Sequence, residues 1–320
     1  MRFPIVVCGT INYDNIFKHN KDITPYFRDI SCDMGVNFVA QNYYRRFGGT
    51  ASNISYNLSL MGVSSNLMAS VGYDFLEYRY FLNDCGIGTD WIEEFENEPT
   101  AQCVTFRDAY ENHIDIFYPG PMYNDKNLTL TNKNLEQVQL AVITPTDTIS
   151  MVIRSKECEA LGIPYIIDLG LFLENFTKKD ILYCCANAKI FTMNTREFDR
   201  FLAHTNLTMA EALKLNKIII ITKGKDGSDL FYKGQEIHIP AVKPHNVLDT
   251  VGAGDAYKAG LAIGLINNLP IEICCRIGSV ISSFKIESRG AMTHSFTLSD
   301  FIERYEQNFK DDRGLLHRLT

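Results

Sequence analysis

Apolar residues fall in short unbroken runs along most of this chain, separated by stretches with helical spacing. The runs are FPIVVCG (3–9), LAVITP (140–145), PYIIDLG (164–170), KIFTMN (189–194) and KIIIITKG (217–224). Unbroken rather than alternating, they predict parallel strands covered on both faces. Between them, SMVIRSKECEALG (150–162), KKDILYCCANA (178–188) and TMAEALKLN (208–216) predict helices. The first is closed by Gly162, with Pro164 just beyond. Strand and helix in repeated alternation predict an α/β fold, a doubly wound and mostly parallel sheet flanked by helices.

Two stretches break the rhythm. Residues 33–47 (DMGVNFVAQNYYRRF) and 99–118 (PTAQCVTFRDAYENHIDIFY) mix β-branched and aromatic residues with polar ones, and RDAYENH reads as a hairpin turn. They predict a small second sheet inserted as a lid over the mouth of the main one. No repeat, low-complexity segment or linker interrupts residues 1–320, which are read as a single domain.

Composition narrows the function. A net charge of −7 disfavours nucleic acid or an anionic membrane as a partner. No apolar run approaches the roughly 18 residues that span a bilayer, and the opening MRFPIVVCG reads as a first strand. The nine cysteines show no C-x-x-C and no metal-ligand spacing, as in a reducing compartment. A cytoplasmic protein without structural zinc is expected, as a monomer or a homodimer.

The densest chemistry lies in DTVGAGDAYKAG (249–260). Gly252, Ala253 and Gly254 carry little or no side chain, so their amides can approach a ligand closely at the start of a helix. Amides there lack intrahelical partners, and the helix dipole favours an anion such as a phosphate. Asp255 falls in the first turn, facing whatever the anion site holds. The structural alternative is a tight turn with an acid complementing the dipole. The turn is neither G-x-G-x-x-G after a first strand nor a Walker A, since no G-K-[ST] follows.

DTVGAGD resembles the C-terminal signature of the PfkB (ribokinase-like) family of sugar and nucleoside kinases. The resemblance implies that Asp255 is the catalytic base and that Gly252, Ala253 and Gly254 form the anion hole for the transferred phosphoryl. Other motifs follow the family order. RFGGTASNISYNLSLMG (46–62) is similar to its N-terminal signature, implying that Gly48, Gly49 and Asn53 hold a sugar, while Ile54, Leu58 and Met61 are core. Asp14, in CGTINYD, matches the family's substrate aspartate, and a carboxylate suits a vicinal diol. NTRE (194–197) resembles the N-x-x-E motif that organises Mg²⁺ through water, implicating Asn194 and Glu197; it also reads as a capping box. TKGKDGS (222–228) resembles T-x-G-x-x-G, placing Thr222, Gly224 and Gly227 along ATP, and read alone it is a hairpin. Gly278 and Ser282 occupy the family's adenine flank. Asp249 is read equally as a ligand of a monovalent cation such as K⁺ and as a cap of its own turn.

The implied activity is transfer of the γ-phosphoryl of ATP to the 5′-hydroxyl of a nucleoside, with adenosine favoured. GGTASNISYNLSLMG, FYPGPM and the tail SRGAMTHSFTLSDFIERYEQNF look most like the bacterial adenosine and nucleoside kinases of the family. Phe117, with Tyr118, is then a candidate for stacking on the base. Arg45 and Arg46, on opposite faces of a strand, keep open a kinase of a free sugar or sugar phosphate. A binding protein without catalysis is the alternative from another class; a nicotinamide oxidoreductase lacks its first-turn fingerprint.

Overall fold

The computed structural model describes residues 3–24, 37–110, 112–309 and 316–319. A nine-stranded sheet forms the centre, in the order β13-β12-β11-β10-β9-β8-β1-β4-β5. Its strands are β1 (Ile5–Cys8), β4 (Ser65–Gly72), β5 (Gly88–Phe95), β8 (Leu140–Ile143), β9 (Tyr165–Ile167), β10 (Ile190–Asn194), β11 (Ile218–Thr222), β12 (Ser228–Tyr232) and β13 (Gln235–Ile239). All neighbouring pairs are parallel except β11–β12 and β12–β13, which close one edge as antiparallel hairpins.

The unbroken apolar runs are explained by cores on both faces of the sheet. Ile5, Val7, Ile218 and Ile220 pack into one core. That core includes Ile54 of α1 (Thr50–Leu60), Leu261 of α7 (Ala253–Ile266) and Ile277 of α8 (Ile271–Lys285). Val6, Cys8, Ile219 and Ile221 enter the other core. Met151 of α3 (Thr148–Leu161), Ile181 of α4 (Lys178–Asn187) and Phe198 of α5 (Thr195–Thr205) cover it. Leu58 and Met61 are buried with Ile54, as their spacing predicts.

Two elements are shorter than their patterns. The strand expected over 164–170 stops at Ile167, because Asp168 accepts a bond from Gly170 N (2.9 Å) and starts a 3-10 turn, Gly170–Asn175. The helix expected over 208–216 is a single turn, Met209–Ala212, whose exit tightens into i+3 bonds at Lys214 and Leu215.

The second sheet exists and has four strands, ordered β3-β2-β6-β7. The 99–118 stretch forms the expected hairpin, β6 (Ala101–Arg107) against β7 (His113–Tyr118). In the 33–47 stretch only the end is a strand, β3 (Asn42–Gly48), and residues 33–36 lie outside the described residues. The fourth strand, β2 (Asn12–Lys18), does not stand out as a strand in the sequence, because its inner face carries Asn12 and Asp14. It lies between β3 and β6, so the register sets Arg46, Asp14, Cys103 and Phe117 in one row on one face.

α7 and α8 cross at two glycines. A Cβ on Gly278 would lie 2.7 Å from Tyr257 O and 3.1 Å from the tyrosine ring, and Gly260 abuts Gly278 in turn. Gly278→Val should therefore cost about 1–3 kcal/mol by overpacking. Urea unfolding measures this, and an unchanged midpoint would contradict the tight crossing.

Candidate active site

Ligands of open α/β sheets bind beyond the carboxyl ends of parallel strands. Three adjacent strands end here in polar residues: Asp168 just after β9, Asn194 at the end of β10, and Thr222 at the end of β11. All three line a cavity of about 350 Å³, together with Glu197, Gly224, Gly252, Gly254, Asp255 and Lys258. The glycine turn thus opens into this cleft.

Gly252 is the N-cap of α7 and adopts φ 81°, a left-handed conformation that glycine takes without strain. A Cβ on Gly254 would meet nothing within 4 Å, so the backbone there faces open space. Ala253 differs, since its N–H turns back onto Thr250 O (3.2 Å) and its carbonyl accepts from Ser282 Oγ (2.8 Å). Ser282 thereby braces the turn from behind, and neither it nor Gly278, buried in the α7–α8 crossing, lines the cavity.

Asp255 is buried and gripped from two sides. Asn53 Nδ2 donates to its Oδ2 (2.8 Å), joining the two signature motifs across 202 positions of chain. Lys258 Nζ lies 3.0 Å from Oδ1, one helical turn on. The same ammonium donates to Asp168 Oδ2. Burial raises the Asp255 pKa, opposed by the Lys258 charge and the Asn53 bond. Burial works against the charge on Lys258, but Asp168 and then Asp255 outweigh it and hold the ammonium protonated. Lys258 and Asp168 are part of this site, and motif reading missed both. The available signals were the i+3 spacing to Asp255 and an acid at a strand's carboxyl end.

Asn194 and Glu197 form the reciprocal capping box of α5, with bonds of 2.9 and 2.8 Å, and both still line the cavity. Burial and then the charge of Asp168 raise the Glu197 pKa. Two carboxylates near each other suit Mg²⁺, a hard cation that keeps its waters and borrows oxygens from phosphates. Thr222 and Gly224 face the cavity, whereas Gly227 (φ 84°) turns into the β13 exit, where a Cβ would strike Ile239 O.

The residues expected to hold an acceptor lie on and beside the second sheet. Gly48 lies under the Asp14 carboxylate, where any Cβ would collide with it. Gly49 (φ 104°) presses against the backbone of Thr10, Ile11 and Asn12 and starts α1. Asn12 Nδ2 donates to Asp14 Oδ1 (2.8 Å). Burial raises the Asp14 pKa to about 6, against the Asn12 bond and the Arg46 charge. Phe117 shares this inner row, and its ring centre is 5.9 Å from Phe172 of the 3-10 turn beside the cavity. Tyr118 alternates to the outer face and reaches Glu98 (3.4 Å), so it does not join Phe117. Arg45 also turns outward, onto Asp74 (2.8 Å) and the Tyr13 ring (3.7 Å), leaving Arg46 as the inward arginine.

Asp249 accepts at both carboxylate oxygens, Oδ1 from Val251 N in its own turn (3.0 Å) and Oδ2 from Gly290 N in the later 288–290 loop (2.9 Å). The Val251 bond is the one its reading as a cap of its own turn requires.

The chain matches the pfkB family carbohydrate kinases over residues 5–297. It is 30% identical over 271 residues to the nucleoside kinase of Methanocaldococcus jannaschii, covering 84% of this chain and 87% of that one. The structure of the Burkholderia thailandensis nucleoside kinase in complex with inosine is similar at TM-score 0.87 and 26% identity, covering 96% and 97% of the two chains. That of the M. jannaschii nucleoside kinase, an archaeal member of the ribokinase family, is similar at TM-score 0.84 and 27% identity, covering 96% and 99%. Fold and site together define an α/β kinase with a ribokinase-like sheet and a small separate sheet. More narrowly, the chain belongs to the pfkB family of carbohydrate kinases. Among the described residues, no helix is long and apolar enough to cross a membrane.

Proposed function

We propose that this protein transfers the γ-phosphoryl of ATP to the 5′-hydroxyl of a nucleoside, with adenosine the leading acceptor and inosine next. The observation that carries the reading is Asp255, held by Asn53 and Lys258 at the head of a helix whose glycine turn opens into a polar cleft. The nucleoside kinases of M. jannaschii and B. thailandensis support the acceptor class.

The residues divide the work. Asp14 accepts from the ribose hydroxyls, with Gly48 leaving room for its carboxylate and Gly49 for the close 10–12 backbone, and Phe117 stacks on the base. Asn53 orients Asp255, which takes the 5′-hydroxyl proton as the oxygen bonds to phosphorus. That proton turns acidic only late, so an ordinary carboxylate suffices. The amides of Gly252 and Gly254, which line the cleft, receive the charge that grows on the migrating phosphoryl, while the Ala253 N–H stays on Thr250 O. Asn194, Glu197, Thr222 and Gly224 belong to the ATP side, with Gly227 shaping the turn behind them, and Asp168 with Glu197 would hold Mg²⁺ through water. Bound there, Mg²⁺ neutralises phosphate charge. The second sheet folds over the acceptor and excludes water, the competing acceptor.

Purified protein with ATP, Mg²⁺ and a panel of adenosine, inosine, other nucleosides, ribose, fructose and fructose phosphates tests the proposal. Turnover with nucleosides is expected; no turnover on any acceptor would refute catalysis and favour a binding protein.

Arg46 supplies the one observation for a second reading, a sugar-phosphate kinase, because it faces inward beside Asp14. Arg46→Ala should leave nucleoside turnover within about threefold, since a neutral acceptor offers no phosphate to pair. A large loss confined to phosphorylated sugars would favour the rival.

Asp14 also sets a pH dependence. Its carboxyl, raised to about 6, protonates as pH falls through that value and loses acceptor capacity. KM for the nucleoside should rise below about pH 6 in wild type, and Asp14→Asn should abolish that rise. A KM flat down to pH 5 would argue against Asp14 as the sugar ligand.

A further inference from the structure

The monovalent cation that one reading of Asp249 implies would meet a side chain already in its place. Lys285, at the end of α8, is wholly buried. Its Nζ donates to the Asp249 carbonyl (2.8 Å) and, more weakly, to the Ser288 carbonyl (3.4 Å). The stem runs beneath the glycine turn, with Cε 3.6 Å from where a Cβ on Gly252 would stand.

A cation such as K⁺ needs several oxygens left free by the protein. Here the two carbonyls that converge from the 249 loop and the 288 loop are taken by an ammonium, and the Asp249 carboxylate is occupied by Val251 N and Gly290 N. Seating a second positive charge against Lys285 in a buried place would be strongly unfavourable. These residues therefore do not fit a free monovalent cation. They do supply its chemistry: one positive charge, hydrogen bonds to carbonyls of two loops, and a fixed position under the phosphoryl-binding turn. Burial lowers the Lys285 pKa, and the Asp249 charge opposes the fall.

We propose that the Lys285 ammonium is a built-in replacement for the monovalent cation, tying the 249 and 288 loops together and freeing the enzyme from K⁺. The activity arm of the test rests on the phosphotransferase reading; the binding arm does not.

Wild-type protein and Lys285→Ala are compared in K⁺-free and K⁺-containing buffer at constant ionic strength, by thermal unfolding and by nucleoside turnover. Wild type should show no K⁺-specific change in Tm and a rate within about twofold, since no site is left to couple binding to stability. Lys285→Ala opens space and leaves the carbonyls bare. Without K⁺ it should lose about tenfold or more in kcat, and K⁺ or NH₄⁺ should restore both kcat and Tm while Li⁺ should not. Activation or stabilisation of the wild type by K⁺ overturns the proposal, even if the variant does not fold. So does a variant as active as wild type without K⁺, or one that neither K⁺ nor NH₄⁺ restores. If no acceptor turns over, the Tm arm still decides the cation question separately from the kinase question.

Discussion

Asp255→Asn should lower kcat by about 10²–10⁴-fold while both substrates bind nearly as before. The substitution removes the proton acceptor and keeps size, shape and the glycine turn. The local network can absorb it. Asn53 Oδ1 has no hydrogen-bond partner among the described residues, so a turned amide can accept from the new NH₂. Lys258 retains Asp168 as its partner. A deficit in kcat with small changes in KM is the signature of an interaction made only in the transition state. Steady-state kinetics with calorimetric binding of nucleoside and ADP measure both halves. Near-wild-type turnover would remove Asp255 from the chemistry.

Lys258→Met carries the second large effect, on stability and on pH dependence together. Lys258 is the buried cation between Asp168 and Asp255, and methionine matches its stem without the charge. Breaking such a pair from one side strands the remaining charges and costs about 3–5 kcal/mol at neutral pH. The sign of the pH shift follows. Lys258 lowers the Asp255 pKa, so its loss leaves burial and the Asp168 charge to raise it further. The acidic limb of kcat should then move to higher pH, because Asp255 works only as the carboxylate. Folding should recover part of its loss as pH falls and the stranded carboxylates protonate. Urea unfolding across pH and a pH–rate profile read the two effects. An unmoved limb in a folded variant would confine Lys258 to packing.

Much of this site was legible along the chain because its chemistry is local. The Gly252–Asp255 turn, the Asn194–Glu197 cap and the paired Gly48–Gly49 each declare themselves within a few residues, and the parallel strands declare themselves because both faces are covered. What stayed hidden was nonlocal or ambiguous. The Lys258–Asp168 contact joins residues 90 positions apart, and no spacing rule reaches that far. β2 reads as a polar stretch because its inner face carries Asn12 and Asp14. Gly278 and Ser282 sit where a nucleotide contact is expected, but a small residue also serves a close helix crossing, and a serine also braces a turn. Lys285 looks like an ordinary basic residue closing a helix until its Nζ is found on the carbonyls of Asp249 and Ser288.

The most direct test is a crystal structure of the protein with adenosine, ADP, Mg²⁺ and a planar phosphoryl mimic. The nucleoside 5′-oxygen should lie about 2.6–3.2 Å from an Asp255 carboxylate oxygen, in line with a mimic cradled at the 252–254 turn. A nucleoside bound with its 5′-oxygen away from Asp255, or a mimic lodged off that turn, would contradict the account.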